Sequence, residues 1–463
     1  MTTSPRITHA WELTESEKVR LFVTSVIALV AAGIAFAVRT NILGDLAHDL
    51  FTGPGGEKVG GAVGNAFLGF AISIIVSSPL LDRVGMKPLL VLSAILLAVG
   101  TIGVLCVQSI GSRVGILPAL SGSFLVFGLG WGLIESVINP LIATVYSSDK
   151  TKKLNHLHAW WPAGLVIGSV FAFYCKENHI GWQTQVAVTL IPVIAFGLLA
   201  ATVRVPSTER AAAGISEADM WKEIANPLFL VLFLCMFLTA SSELAPNQWV
   251  DFALSHSVGM TGVVLLGYVS TIQFVGRHFA GPLAHKLSPI GLLWFSAVLA
   301  ALGLFLLGHA NSPTTAILSA TVWGVGICFM WPTMLATTSE RFPRGGSLLM
   351  GLMGAAGMGA IFLVLPKLGL IYDAHATVAA KANGYESFQA LKDAAGSTSA
   401  TPAVTQLLES VQAAAGSNSF LVVAILPAIL IFVFGAFWLA DRAKGGYKVV
   451  VLDVPQKGDD AAT

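Results

Sequence analysis

Charge is what this chain has least of. Only 11% of its 463 residues are Asp, Glu, Lys or Arg, against roughly 25% in a soluble domain. With 55% hydrophobic residues and a mean hydropathy of +0.77, that shortfall excludes a water-soluble globular protein, and the solvent for most of the chain is lipid. The net charge of +1 excludes the concentrated basic face that nucleic acid requires. Cysteine is also scarce. The four present, Cys106, Cys175, Cys235 and Cys328, are scattered and lie mostly in apolar runs. They offer neither a disulfide framework nor metal-ligand spacing, so no metal and no cofactor is implied. The first twenty residues, ending ESEKVR, lack the short apolar core of a cleavable signal, which leaves the N-terminus expected in the cytoplasm.

What the chain has in abundance is apolar runs of bilayer length, about 20 residues each. They fall at roughly 19–44, 60–81, 88–109, 116–146, 157–175, 184–203, 226–250, 260–283, 290–309, 315–338, 346–370 and 419–440. Twelve spans put both termini on one side. With the N-terminus inside, 18 Lys and Arg lie in cytoplasmic segments, 5 in outside loops and 3 within or at the edge of spans. This asymmetry follows the positive-inside rule and predicts a multi-pass protein of the inner membrane with both termini cytoplasmic. The expected organisation is a tail over 1–18, a six-helix bundle over 19–203, a charged linker over 204–225, a second bundle over 226–440, and a tail over 441–463.

Two echoes point to an internal duplication. SPLLDRVGMKPLLV, from Ser78, follows the second span, and GPLAHKLSPIGLLW, from Gly281, follows the eighth. VFGLGWG at Val126 in span 4 resembles VWGVGIC at Val322 in span 10, and each precedes a proline in the same helix, Pro140 and Pro332. Repeats six helices apart are what a two-bundle transporter displays. The stretch 372–418 reads as a long outside loop holding two short helices, ESFQALKDAA and VTQLLESVQAAA.

Ionisable groups within spans are expensive, so each is a functional candidate. The strongest is Glu135, in GWGLIESVINP. Asn139 lies one turn on and shares its helix face with Gly128 and Gly132, whose lack of side chains admits a close neighbouring helix. A carboxyl in that position is suited to exchange a proton or to bind substrate, or else pairs with Arg39 and locks the bundle. Span 5 opens KLNHLHAWWPAG. His158 offers a donor and an acceptor, and the indoles of Trp160 and Trp161 either stack on a sugar ring or form an interfacial belt. In span 7, SSELAPNQWV carries Glu243, Asn247, Gln248 and Trp249 around Pro246, a broken helix with amides suited to hydroxyl-rich ligands. Gln273 and Trp331 are further pocket candidates. Arg39 either binds an anionic group of the substrate or, the favoured expectation, neutralises a carboxylate such as Asp45 or Glu135. Gly351, Ala355 and Gly359 have the spacing of packing residues.

Over essentially its full length the sequence resembles the major facilitator superfamily. LLDRVGMK after span 2 is similar to that superfamily's signature loop, with Ser78 for its leading Gly and Met86 for its later Arg. The resemblance implies that Asp82 and Arg83 brace the ends of the two bundles and, with Arg277, gate the conformational change. Within the superfamily, E-x-x-x-N-P at Glu135, Asn139 and Pro140, the run Leu154, Asn155 and His158, and E-x5-W at Glu243 and Trp249 resemble the fucose–galactose–glucose:proton symporters. By that resemblance Glu135 recognises sugar and Asp45 carries the proton. His158 stands for a usual Gln, and Trp161 for a sugar-binding Asn.

The expectation is therefore an all-α protein of twelve helices in two bundles that moves a small polar solute, a sugar, with protons by alternating access. A monomer in the lipid bilayer is expected. An organic-anion or nucleoside carrier on the same scaffold and a non-transporting membrane sensor are the rival readings. No nucleophile motif or phosphate loop suggests an enzyme.

Overall fold

The computed structural model describes residues 9–51, 56–258, 262–397 and 400–452. Within these, the side chains at 56–57, 247–258, 262–264, 266, 365 and 366 are not described. Among the described residues, twelve principal helices form two bundles of six. The first comprises α1 (Glu15–Asn41), α2 (Gly56–Val84), α3 (Met86–Leu105), α4 (Ile116–Val145), α5 (Lys150–Glu177) and α6 (Trp182–Thr202). The second comprises α7 (Pro227–Val258), α8 (Gly262–Arg277), α9 (Pro289–Leu307), α10 (Pro313–Arg341), α11 (Gly346–Ala382) and α12 (Pro402–Ala443). Among the described residues all but α8 are long and apolar enough to cross a bilayer. With no water available to the backbone in lipid, closing every hydrogen bond within a helix is the stable solution.

Both described chain ends lie on the face that carries the linker. Glu12 pairs with Arg204 at 3.0 Å, and Tyr447 donates to Glu340 at the end of α10. We call this the linker face, and the opposite one the loop face. Helix α1 starts at a capping box. The Thr14 hydroxyl accepts from Glu17 N at 3.2 Å, and Glu17 Oε2 accepts from Thr14 N at 2.8 Å.

The sequence echoes are structural. Gly85 turns α2 into α3 with φ of 91°, and Ser288, its counterpart before α9, has φ of 68°. That region is hostile to a side chain, and Ser288 occupies it with its hydroxyl capping Gly291 N at 3.2 Å. A Cβ on Gly130 would meet α3 at Leu97, and one on Gly326 would meet α9 at Ala300. Gly100 faces the backbone of Phe127, and Gly303 that of Trp323 in the same relation.

Glycine also sets the distance between α2 and α4. A Cβ on Gly128 would overlap the carbonyl of Ala66, and one on Gly132 that of Phe70. Gly128→Leu is expected to force α2 and α4 apart and lower stability by about 1–3 kcal/mol or more, read as a fall in the melting temperature of the purified protein. Gly164 and Gly168 bring α5 against α1 in the same way. In α11, Gly351 abuts Ser78, whereas Gly359 faces open space, so only part of that small-residue stripe packs.

The stretch expected to be a loop over 372–418 is a helical extension. Helix α11 runs 37 residues, about 55 Å at 1.5 Å per residue, and α12 begins at Pro402 with Thr401 as its N-cap. Of the two short helices expected, the first forms as Phe388–Ala395, and the second is the opening of α12. Alanine-rich sequence has high helix propensity, and Phe388 and Leu391 bury themselves against Tyr372, Ala376, Ala380, Val411 and Ala415.

Candidate functional site

The centre of the protein holds a run of buried polar side chains in two arms. One arm belongs to α4 and α5. Glu135 and Asn139 sit one turn apart on the face of α4 turned inward, 7% and 3% exposed. Asn139 Nδ2 donates to Glu135 Oε2 at 2.8 Å. Its Oδ1 is then an acceptor, and His158 Nε2 on α5 lies 2.8 Å from it, which assigns the imidazole proton to Nε2. The donors thus point in one direction, from His158 through Asn139 to the carboxyl of Glu135.

The second arm belongs to α7 and α8. Glu243 Oε1 accepts from Gln273 Nε2 at 2.7 Å and from Arg277 Nη2 at 3.1 Å. Arg277 joins the arms. Its Nη1 donates to the carbonyl of His158 across the bundle interface at 2.7 Å, and its Nε to the carbonyl of Cys328 on α10 at 2.7 Å. Arg277 is fully engaged and buried. Buried charges of this kind persist only when paired and hydrogen-bonded.

Beside this run lies an aromatic cluster. Trp131, one turn before Glu135, stacks on Trp161 with ring centroids 5.3 Å apart and planes 3° from parallel. Phe36, Phe67 and Phe70 surround Trp131 edge-on or tilted. Two buried polar atoms have no partner, the indole nitrogen of Trp131 in this cluster and Glu243 Oε2 in the α7–α8 arm. Such groups call for an explanation, and a free donor in one arm and a free acceptor in the other are what a ligand bearing several hydroxyls would satisfy.

The structure thus brings Glu135, Asn139, His158 and Trp161 together, and sets Glu243, Gln273 and Arg277 opposite them. Of the other site candidates from the sequence, none is described in contact with this run. Trp331 is half-buried against Gly357 of α11. Asn247, Gln248 and Trp249 lie on α7, with side chains outside the described residues. Asp45 is exposed on a short helix, Leu43–Leu50, that continues α1 after Ile42.

One expectation is overturned. Arg39 neutralises neither Asp45 nor Glu135. Its rotation on α1 aims the guanidinium at Phe36 and Phe67, 4.8 and 5.2 Å from their ring centroids, and its Nε and Nη1 have no hydrogen-bond partner.

Asp82 and Arg83 reach the linker, and neither pairs directly with the second bundle. Asp82 binds Arg210 and the hydroxyl of Thr208, and Arg83 pairs with Glu217. More of the closure comes from residues with no sequence signal. Lys150 is buried, 2.6 Å from Glu209 Oε2 and 3.3 Å from the carbonyl of Ser339. Glu340 accepts from the hydroxyl of Thr151 at 2.7 Å and from Tyr447 in the tail at 2.7 Å. Ser347 donates to the carbonyl of Ser78 at 2.8 Å. Among the described residues, every hydrogen bond between the bundles joins positions 78 and 150–158 to the second bundle. These bonds close the linker face.

Burial and the neighbouring Glu340 carboxylate push the Tyr447 phenol well above its ordinary pKa, so it remains a neutral donor. Tyr447→Phe removes a hydrogen bond to a charged acceptor, worth about 1.5–3 kcal/mol. Tyr447 and Glu340 both belong to the second half, so only part of that energy, about 1.4 kcal/mol, reaches the bundle interface through Thr151. The closed linker face is expected to open about ten-fold more often, measured as faster maleimide labelling of a cysteine placed at Ser347.

The profile of the Major Facilitator Superfamily matches residues 21–365. The chain belongs to that superfamily. Its members are transporters, so the protein is a multi-pass membrane transporter and not an enzyme. Among solved structures it is similar to the superfamily transporter FucP in its outward conformation, at 14% identity and a TM-score of 0.67, covering 91% of this chain and 99% of that one. The same protein is described elsewhere as the fucose:proton symporter of E. coli. A proton:xylose symporter shares 15% identity with a TM-score of 0.68, covering 92% and 97%. A human organic anion transporter shares 12% with a TM-score of 0.61, covering 90% and 99%. No curated protein matches.

Proposed function

We propose that this superfamily member carries a neutral, hydroxyl-rich solute, a sugar, together with protons by alternating access. The linker face is the cytoplasmic one, as the Lys and Arg distribution requires, and the bonded state described above faces outward. The carrying observation is the hydrogen-bonded run from Glu135 through Asn139, His158 and Arg277 to Glu243. It crosses the bundle interface beside the Trp131–Trp161 stack. Separate hydroxyls of one ligand would accept from Trp131 and donate to Glu243 Oε2, and an indole face suits the apolar face of a sugar ring. The similarity in fold to two sugar:proton symporters supports this reading.

In this reading Glu135 is the proton carrier coupled to the sugar, and Asp45, exposed near the loop face, is the acid on the entry side. Each proton moving inward releases about 2.3 kcal/mol per 100 mV, enough for roughly fifty-fold accumulation of a neutral solute. The test is uptake of labelled monosaccharides, nucleosides and carboxylates into proteoliposomes with an imposed inward pH gradient. At least one monosaccharide is expected to accumulate, and to stop accumulating when the gradient is collapsed. Accumulation of nucleosides or carboxylates alone would replace sugar as the substrate.

A further inference from the structure

Arg39 is unexplained by the transport site. It lies in the loop-face half of α1, is 5% exposed, and has no carboxylate partner among the described residues. An unneutralised guanidinium within a span is a standing electrostatic penalty. The rings of Phe36 and Phe67 relieve it only in part, because cation–π contact leaves the in-plane N–H groups unsatisfied. Arg39 lines a cavity of about 30 Å³ between α1, α3, α4 and α6, together with Phe124, Phe127, Val186, Thr101 and Thr189. A water-sized object needs about 10–15 Å³ by this measure, so the space admits an atom-sized ion and excludes a sugar.

The walls narrow the occupant further. Thr101 and Thr189 spend their hydroxyl protons on the carbonyls of Leu97 and Val186, at 2.8 and 2.7 Å. The guanidinium is then the one source of free N–H donors, and the rest of the lining is apolar. A carboxylate or phosphate, with several strongly hydrated oxygens, would lose more water there than one guanidinium replaces. A weakly hydrated monovalent ion would balance the single positive charge and tolerate the aromatic walls.

We propose that Arg39 and this cavity form a binding site for a chloride-sized inorganic anion, separate from the proposed transport site. Phe36 and Phe67, on which Arg39 stacks, also touch Trp131. Occupancy therefore stiffens the aromatic cluster beside the transport site, and external halide sets the stability of that half of the first bundle.

The experiment uses the purified full-length protein at constant ionic strength, with sodium gluconate exchanged for chloride or bromide. Wild-type protein is expected to show a saturable rise in melting temperature of about 2 °C or more, and to bind radiolabelled chloride at one site per chain. Arg39→Gln is expected to abolish both. Where that variant does not fold, Thr189→Leu, which fills the cavity and keeps the guanidinium, is expected to remove halide binding as well. Equal melting temperatures in gluconate, chloride and bromide would overturn the proposal, as would chloride binding that survives in both variants. If glucuronate stabilises the protein through Arg39 and halide does not, the site belongs to an organic carboxylate and the inorganic assignment falls.

Discussion

Replacing Glu135 by Gln is expected to reduce gradient-driven accumulation from tens-fold to none while leaving exchange of sugar across the membrane in place. Glutamine has nearly the same shape and can still accept from Asn139, so the bonded arm from His158 survives. What is lost is the proton. If the carrier reorients only with that site neutral, a permanently neutral Gln reorients at any pH and lets sugar equilibrate without drawing on the gradient. Counterflow of labelled against unlabelled sugar reads the exchange, and net uptake under a pH gradient reads the coupling. Asp45→Asn is the companion variant. A defect confined to net uptake in both would place the two acids on one proton path.

The second large effect is expected at the buried pair of Glu243 and Arg277. Removing one partner strands the other charge in the protein interior, which costs about 3–5 kcal/mol. Arg277→Gln also releases the carbonyls of His158 and Cys328, and with them the tie between α8 and α5. Either Arg277→Gln or Glu243→Gln alone should therefore denature at markedly lower temperature. The double variant should recover most of the stability, because no isolated charge remains. Transport should not recover with it, since the crossing between bundles is still cut. Thermal denaturation of the three variants closes a double-mutant cycle, and uptake by the double variant separates the structural role from the functional one.

The spans and the two-bundle repeat were legible in the sequence because lipid imposes a one-dimensional signal, long apolar runs with basic residues gathered on one side. The Glu135–Asn139 pair was legible for a similar reason, since residues one turn apart share a helix face whatever the tertiary structure does. Contacts between helices were not. Glu243 and Arg277 are 34 positions apart on different helices, Thr151 and Glu340 are 189 apart, and nothing in composition pairs them. Lys150, Glu340 and Tyr447 read as ordinary interfacial or tail residues until packing brings them together.

Arg39 shows the opposite failure. Pairing it with the nearest acid ignores the rotation of α1, which turns it toward aromatic rings. Trp131 could have been found, because it lies one turn before Glu135 on the same face of α4. The extension over 372–418 was hidden because its polar, alanine-rich sequence has no hydropathy signal, although its helix propensity is high.

The central claim is that solute and proton cross together, and it is tested most directly by following external pH when sugar is added to unenergised proteoliposomes. The account predicts that the medium becomes more alkaline as an accumulated sugar enters, with the change absent in Glu135→Gln. Sugar entry at the wild-type rate with no alkalinisation would contradict it.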